Sequence, residues 1–200
     1  MFENWGWRGK TDKKRPDTPE AQEVELITLI ANADRQAFEA LYRLYFGRLA
    51  RFLDKMTRDT HLIEEIVNDT MLVVWQKAHS FNHTSRVSTW VFAIAYRQAL
   101  KAINSFDEAV ESDFEHHAAE TRYEPEQQMS AQQLDADLSR ALRALPMEQR
   151  VVVSLTYYHE MGYKEIAETM ECPVNTVKTR MFHARQRLRF MLSDSMEEIL

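Results

Sequence analysis

Residues 163–190 read YKEIAETMECPVNTVKTRMFHARQRLRF and contain two helix patterns separated by a short break. The first pattern stops before Pro173, because proline cannot continue a helix but can begin one. In the second pattern apolar residues recur every three or four positions, so they share one narrow stripe that must face a core. These residues are Val177, Met181, Ala184 and Leu188. The stretch therefore predicts a helix-turn-helix.

The side of the second helix opposite this stripe is basic. It carries Thr179, Phe182, His183 and Gln186, flanked by Lys178 and Arg189. From Pro173 to Phe190 there are five Lys or Arg residues and no acid. Periodicity alone fits a solvated surface as well as a nucleic-acid interface. Phe182 favours the interface, because an exposed aromatic ring is costly in water but can contact thymine methyl groups in a major groove.

The composition of the 200 residues predicts an almost entirely helical chain, with 44% hydrophobic residues, four glycines and five prolines. No apolar run is long enough to cross a membrane and no secretory signal begins the chain, so we expect a cytoplasmic protein without membrane insertion. The single cysteine, Cys172, excludes an internal disulfide and is expected to be a buried small residue in the break. No cofactor is implied. His116 and His117 lack a third ligand at suitable spacing, so no metal site is expected.

The net charge of −6 is unevenly distributed along the chain. Residues 1–104 carry 15 basic and 13 acidic groups, whereas residues 105–137 carry one basic and ten acidic groups. Residues 138–192 are again basic, with nine basic and five acidic groups, and the last eight residues add three acids. The two segments able to touch nucleic acid are therefore positive, and the acidity lies between and after them.

Apolar periodicity divides the chain into two small helical domains joined by a flexible acidic linker. In the first domain we expect a short helix over 20–31, a long helix capped by Asp34 through about Met56, a third helix over 62–78, and a fourth over 89–104 capped by Ser88. The predicted organisation is a disordered extension at 1–19, a first domain at 20–104, the linker at 105–129, a second domain at 130–192 and an acidic tail at 193–200.

The third predicted helix carries Glu64, Glu65 and Asp69. Acids near a helix N-terminus favour the helix dipole, which explains Glu64 and Glu65 but is a weaker explanation for Asp69. Glu65 and Asp69 are four residues apart, and like charges at that spacing destabilise a helix by a few tenths of a kcal/mol. A basic partner surface would explain all three acids.

The segment from Phe81 to Lys101 alternates aromatic and basic residues beside a polar loop. We expect Trp90, Ile94 and Ala95 to face inward. Arg86, Tyr96, Arg97 and Lys101 are expected to reach solvent or a ligand. This combination suits single-stranded nucleic acid, because aromatic rings stack on unpaired bases and cations follow the backbone. A polar rim around a packed tryptophan is the alternative.

Four segments in the same order resemble extracytoplasmic-function (ECF) sigma factors of bacterial RNA polymerase, which belong to the sigma-70 family. The helix-turn-helix resembles the family pattern Y-x-E-I-A … P-V-x-T-V-K-S-R … A-R-x-x-L, and ALRALPMEQRVVVSLTYYHEMGY precedes it. IEEIVNDTMLVVWQKAHSF and STWVFAIAYRQALKAI resemble two further family helices. The resemblance covers roughly residues 22–192.

This resemblance implies a factor that binds core polymerase, recognises promoter −10 and −35 elements and makes or breaks no bond itself. The implied polymerase partners are the largest-subunit coiled coil, met by Glu64, Glu65 and Asp69, and the flap. The implied residues for the downstream element and melting are Phe81, Arg86, Ser88, Trp90, Tyr96, Arg97 and Lys101. Those implied for the upstream element are Thr176, Lys178, Thr179, Arg180, Phe182, His183 and Arg185. The linker would enter the polymerase cleft.

Two other classes of protein are weighed against this one. A conventional helix-turn-helix regulator would explain residues 130–192, but it normally dimerises and needs no acidic docking helix. An enzyme would need converging ligands or a nucleophile motif, and the sequence contains none. Control by an anti-sigma factor, by phosphorylation or by expression is left open.

Overall fold

The computed structural model describes residues 18–110 and 129–197, with side chains described for 18–105 and 136–193. These segments form helices and contain no strand, which confirms the expected all-helical fold. The helices are α1 (Pro19–Ala31), α2 (Arg35–Leu53), α3 (Thr60–Lys77), α4 (Val87–Val110), α5 (Met129–Ala144), α6 (Met147–Tyr157), α7 (Tyr163–Thr169) and α8 (Val174–Glu197), with a 3-10 turn at Ala78–Ser80.

Polar side chains fix where the first three helices begin. Asp34 caps α2 as predicted, since its Oδ1 accepts hydrogen bonds from the N–H groups of Gln36 (2.9 Å) and Ala37 (3.0 Å). Thr18 caps α1 and Asp59 caps α3 in the same way. These caps satisfy backbone donors that have no partner inside the helix.

The first four helices share a core centred on α2. Its helical periodicity places Leu41, Tyr45, Leu49 and Phe52 on one stripe, and all four are fully buried. Glu23 of α1 is also buried, and its carboxylate accepts hydrogen bonds from the Tyr45 hydroxyl (2.8 Å) and from Arg48 Nη1 (2.9 Å). Burial, together with the charge of Glu23, raises the pKa of Tyr45, so the phenol stays protonated and donates. The pairing ties α1 to α2.

The last helices form the predicted helix-turn-helix. Val177, Met181 and Ala184 are buried and Leu188 is half-buried, so the predicted stripe of α8 faces the core. The turn contains Glu171 with a φ of 50°, and the Cys172 N–H donates to the Ala167 carbonyl at 3.0 Å. This closes the end of α7, after which Pro173 precedes α8. Cys172 itself is half-buried rather than buried.

Two helices are longer than predicted. α4 begins at Val87, which places Ser88 in its first turn rather than at the cap, and it continues to Val110 beyond the predicted end at 104. α8 runs to Glu197, past the predicted start of the acidic tail at 193. Neither extension contains proline or glycine, so nothing in the backbone ends the helix at the predicted place.

The predicted N-terminal extension, apart from positions 18 and 19, lies outside the described residues. The central part of the predicted linker, residues 111–128 with His116 and His117, also lies outside them. Within the described segments no helix is long and apolar enough to cross a membrane.

α4 lies at the centre of the described fold. It packs against α3 on one side and against α7 on another, so it belongs to the core of the first four helices and also meets the helix-turn-helix. Phe92 and Ala95 of α4 are fully buried. The placement of α4 decides which of its polar side chains can reach a ligand.

Candidate nucleic-acid interface

The exposed side of α8 carries the side chains that the sequence predicts. Lys178, Thr179, Phe182 and His183 are all exposed, and Phe182 keeps 57% of its accessible surface. The rings of Phe182 and His183 are neighbours, with centroids 5.5 Å apart. Because the apolar stripe holds the opposite side against the core, this face presents hydrogen-bonding and aromatic groups together to solvent.

The other predicted residues of this interface differ in accessibility. Arg180 has 19% of its side chain exposed and forms an ion pair with Glu148 of α6, so in this arrangement it holds α8 to α6. Arg185 remains exposed while its Nη2 donates to the Tyr157 hydroxyl at 3.1 Å. Thr176 is half-buried in the first turn of α8. Arg185 is therefore better placed than Arg180 to meet a phosphate.

A second set of predicted residues lines an open groove between α3 and α4. The groove has a volume of about 320 Å³. It is lined by Val73, Lys77, Trp90, Ile94, Arg97, Gln98 and Lys101. It combines three cations with a half-buried indole, which is the chemistry that holds an unpaired strand by its phosphates and bases.

Four members of this groove are absent from the predicted set: the apolar Val73 and Ile94, and the polar Lys77 and Gln98. Lys77 is the last residue of α3, where a basic side chain is normally explained by the helix dipole. Only the packing of α3 on α4 brings it beside Arg97 and Lys101. The one signal in the sequence is that both helices carry cations, Lys77 on α3 and Arg97 and Lys101 on α4, and this does not show that the two helices are in contact.

The expectation that Tyr96 reaches solvent is wrong. Tyr96 is only 5% exposed, and this burial raises the pKa of its hydroxyl. The physical reason is that α4 is covered on two sides, by α3 and by α7. Tyr96 lies opposite the apolar stripe of α4, and there it faces a second helix instead of water.

The loop before α4 is also less exposed than expected at one position. Phe81 is buried, and its ring lies against those of Trp90 (5.4 Å between centroids) and His83 (4.8 Å). It therefore packs against the indole of Trp90 rather than facing solvent. Arg86 is exposed and Ser88 is half-buried. Ile94 and Ala95 are buried as predicted, whereas Trp90 is half-buried at the groove.

The acidic face of α3 lies beside this groove. Glu64, Glu65 and Asp69 are exposed and form no ion pair with any described residue. Leu72, about one turn further on, keeps 52% of its surface. Glu65 and Asp69 line a second open cavity of about 320 Å³, to which Lys101 and Gln98 also contribute. One pair of helices thus presents an acidic surface and a basic groove next to each other.

Comparison with known protein families identifies regions in both halves of the chain. The model for sigma-70 region 2 matches residues 41–114, and the model for sigma-70 region 4 matches residues 135–188. Together the two matches cover more than half of the chain. The chain belongs to the sigma-70 family of RNA polymerase sigma factors, in the extracytoplasmic-function group, and its function is promoter recognition with core polymerase.

Characterised relatives match over most of their length. The ECF RNA polymerase sigma factor RpoE of Cereibacter sphaeroides is 29% identical over 161 residues, which covers 80% of this chain and 88% of the relative. SigM of Bacillus subtilis is 28% identical over 158 residues, covering 76% and 92%. The RNA polymerase sigma-H factor of Pseudomonas aeruginosa is 23% identical over 187 residues, covering 88% and 97%.

Two solved structures share the fold. The sigma factor RpoE of Bartonella quintana, solved with the anti-sigma factor NepR, superposes with a TM-score of 0.63 at 23% identity, covering 78% of this chain and 96% of that one. CnrH, solved with the cytosolic domain of CnrY, also gives a TM-score of 0.63, at 19% identity, covering 86% and 98%. The region 2 match extends the likeness well beyond the helix-turn-helix, which a conventional regulator would not require.

Proposed function

We propose that α3 and α4 divide the work of promoter opening between their two surfaces. Glu64, Glu65 and Asp69 dock on a basic surface of core polymerase, and the groove with Trp90, Arg97 and Lys101 holds one unpaired strand of the −10 element. The observation that carries this proposal is the shared boundary of the two surfaces, where Lys101 and Gln98 line both cavities. Docking through α3 would thus place the groove next to polymerase.

In this proposal α8 recognises the −35 element. Lys178, Thr179, Phe182 and His183 meet base edges in the major groove, and Arg185 neutralises a phosphate. Their exposure on one helix face supports this assignment, since a major groove admits one α-helix. Lys77 joins the single-strand groove as a further phosphate contact.

The sigma factor supplies binding and position, and the proposal assigns all bond chemistry to the polymerase. The proposed setting is the cytoplasm, where the enzyme and its promoters are found. This role accounts for one protein having two nucleic-acid surfaces of different character: a groove for unpaired bases and a helix for duplex DNA.

Run-off transcription tests the proposal directly. Core polymerase, genomic DNA fragments and this chain should give discrete transcripts that core polymerase alone does not produce. A Trp90→Ala variant should lower open-complex formation on those promoters, measured by permanganate reactivity of unpaired thymines. Lys164→Ala, an exposed cation of α7 outside the proposed surfaces, is the matched control and should leave it unchanged. Duplex binding without any transcript would contradict the proposal.

A further inference from the structure

One hydrogen bond joins the end of α6 to the exposed side of α8. Arg185 Nη2 donates to the Tyr157 hydroxyl at 3.1 Å, although the two residues are 28 positions apart in the chain. The packing of α6 on α8 brings them together, with Leu155 and Ala184 fully buried between the helices. Tyr157 and Arg185 lie outside that packed layer, and Tyr157 keeps 59% of its accessible surface.

This hydrogen bond differs from the other arginine contact between the same two helices. Arg180 has 19% of its side chain exposed and pairs with the carboxylate of Glu148. Arg185 is exposed and forms no ion pair within the described residues. Water can take the place of either partner in an exposed hydrogen bond, so the contact adds little to the free energy of unfolding. Stability of the domain therefore does not account for it.

The position of Arg185 on α8 suggests what the contact does. Lys178, Phe182 and Arg185 follow one another at spacings of four and three residues, so they share one face of the helix. An α-helix with its side chains is about 10–12 Å across and a major groove is about 12 Å wide. A helix in the groove therefore has a sugar-phosphate backbone on each side, and the side of α8 next to α6 borders one of them.

A phenol is a suitable group to hold an arginine for a phosphate. It accepts one N–H and leaves the other guanidinium donors free for the phosphate oxygens. It carries no charge, so the positive charge of Arg185 is not cancelled, whereas the carboxylate of Glu148 cancels that of Arg180. A free arginine side chain loses much rotamer entropy when it binds, and a side chain already held in place loses less.

We propose that Tyr157 is a positioning residue for promoter binding, whose hydroxyl holds the Arg185 guanidinium against one phosphate at the edge of the −35 element. This inference rests on the proposed role of α8 and extends it to a residue of α6. The neighbouring Tyr158 is equally exposed, at 57%, but its hydroxyl forms no hydrogen bond within the described residues. Tyr158 therefore has no such role.

Promoter binding by the complete enzyme tests this inference. The probe is a fluorescein-labelled promoter fragment identified by run-off transcription, followed by anisotropy at several salt concentrations. Tyr157→Phe removes only the hydroxyl and should weaken binding about two- to tenfold, the effect of one hydrogen bond. Arg185→Ala should weaken binding and reduce the salt slope by about one. Tyr158→Phe is the matched control and should bind like the wild type.

A double variant separates positioning from direct contact. Because the hydroxyl acts through the guanidinium, Tyr157→Phe should cause no further loss when Arg185 is already alanine. Thermal unfolding curves of the Tyr157→Phe variant and the wild type should overlay, since the hydrogen bond is exposed.

The phosphate itself is located on the DNA. Neutral methylphosphonate groups are placed one at a time along the backbone beside the −35 element. One of them should weaken binding of the wild type but not of the Arg185→Ala variant. At that same position the Tyr157→Phe variant should lose less affinity than the wild type, because its guanidinium is no longer held there.

Wild-type affinity of Tyr157→Phe, beside weakened binding of Arg185→Ala, would overturn the positioning role and leave the proposed function of α8 standing. A loss in Tyr157→Phe that persists in the Arg185→Ala background would also overturn it, because Tyr157 would then touch DNA itself. If Arg185→Ala binds like the wild type with an unchanged salt slope, the proposed phosphate contact is wrong and the positioning role fails with it. The two failures therefore give different results.

Discussion

Lys178 and His183 are the side chains with which we expect α8 to recognise duplex DNA. Both are exposed and lie off the buried stripe of Val177 and Met181, so replacing them removes contacts without opening the core. Lys178→Ala and His183→Ala should each weaken promoter binding by about 1–3 kcal/mol, the usual value of a base contact. Quantitative footprinting of the complete enzyme on its native promoter measures this loss.

The control for this pair is Lys164→Ala, which removes an exposed cation from the same helix-turn-helix. Thermal unfolding curves of all three variants should overlay that of the wild type. If the Lys178→Ala and His183→Ala variants both occupied the promoter as the wild type does, this would contradict the assignment of the exposed face of α8 to DNA recognition.

His159, in the loop between α6 and α7, lies against the Phe92 ring of α4 (4.5 Å between centroids) and should make this contact sensitive to acid. Burial, with the nearby guanidinium groups of Arg48 and Arg51, lowers the pKa of His159 to about 4. Its folded-state pKa lies below the unfolded value, so its contribution to stability is present above about pH 6.5 and is lost as pH falls toward 4. The free energy of unfolding should therefore fall over this range.

A His159→Phe variant keeps a ring against Phe92 and removes the titrating group. Its free energy of unfolding should stay constant from about pH 6.5 to 5, above the range in which most carboxylates titrate. Chemical unfolding curves of the wild type and the variant across these pH values measure the difference. Identical pH profiles would show that another group is responsible.

At the scale of the element, the exposed acids of α3 determine docking in our proposal. Glu65→Lys with Asp69→Lys should abolish association with core polymerase, because it reverses the charge that meets a basic partner. Helix stability should change little, since one like-charge pair at i,i+4 replaces another. A pull-down of core enzyme, with circular dichroism of the free variant, measures both quantities.

The control is the double variant Glu160→Lys with Glu168→Lys. It changes the net charge by the same amount, but its two exposed acids lie away from α3. This pair should be pulled down like the wild type. Equal recovery of polymerase by a folded α3 variant would show that the acids are only a solvated face.

At the scale of the whole molecule, the charge division predicts competition between the chain's own acids and DNA. Residues 105–137 carry nine more acids than bases, on the same chain as a basic second domain. In the free protein these acids should compete with phosphates for α8. Replacing the six acids between 111 and 126 by their amides should therefore tighten binding of the free chain to promoter duplex.

Fluorescence anisotropy at low and moderate salt measures this effect, which should shrink as salt screens the charges. A chain with the same segment shuffled keeps the charge and should bind like the wild type. If neutralisation leaves the affinity unchanged at low salt, the segment is a spacer.

The sequence by itself determined the helices and the chemistry of their faces. Asp34, the stripe from Leu41 to Phe52, and the stripe from Val177 to Ala184 lie where local pattern places them, because capping and periodicity depend on residues a few positions apart. The basic face of α8 and the acids of α3 follow from the same rule. Helix ends were less predictable at 104 and 193, since no proline or glycine marks them.

Only the tertiary structure decided which polar side chains can reach a ligand. Tyr96 is buried, and Arg180 is paired with Glu148. Lys77 lines the same groove as Lys101, which lies 24 positions further along the chain. Each outcome depends on where a distant helix packs, and a periodicity of three to four residues carries no information about that partner. The pairing of Arg97 with Glu171 is of the same kind, because it joins two halves whose separate sequence patterns are both complete without it.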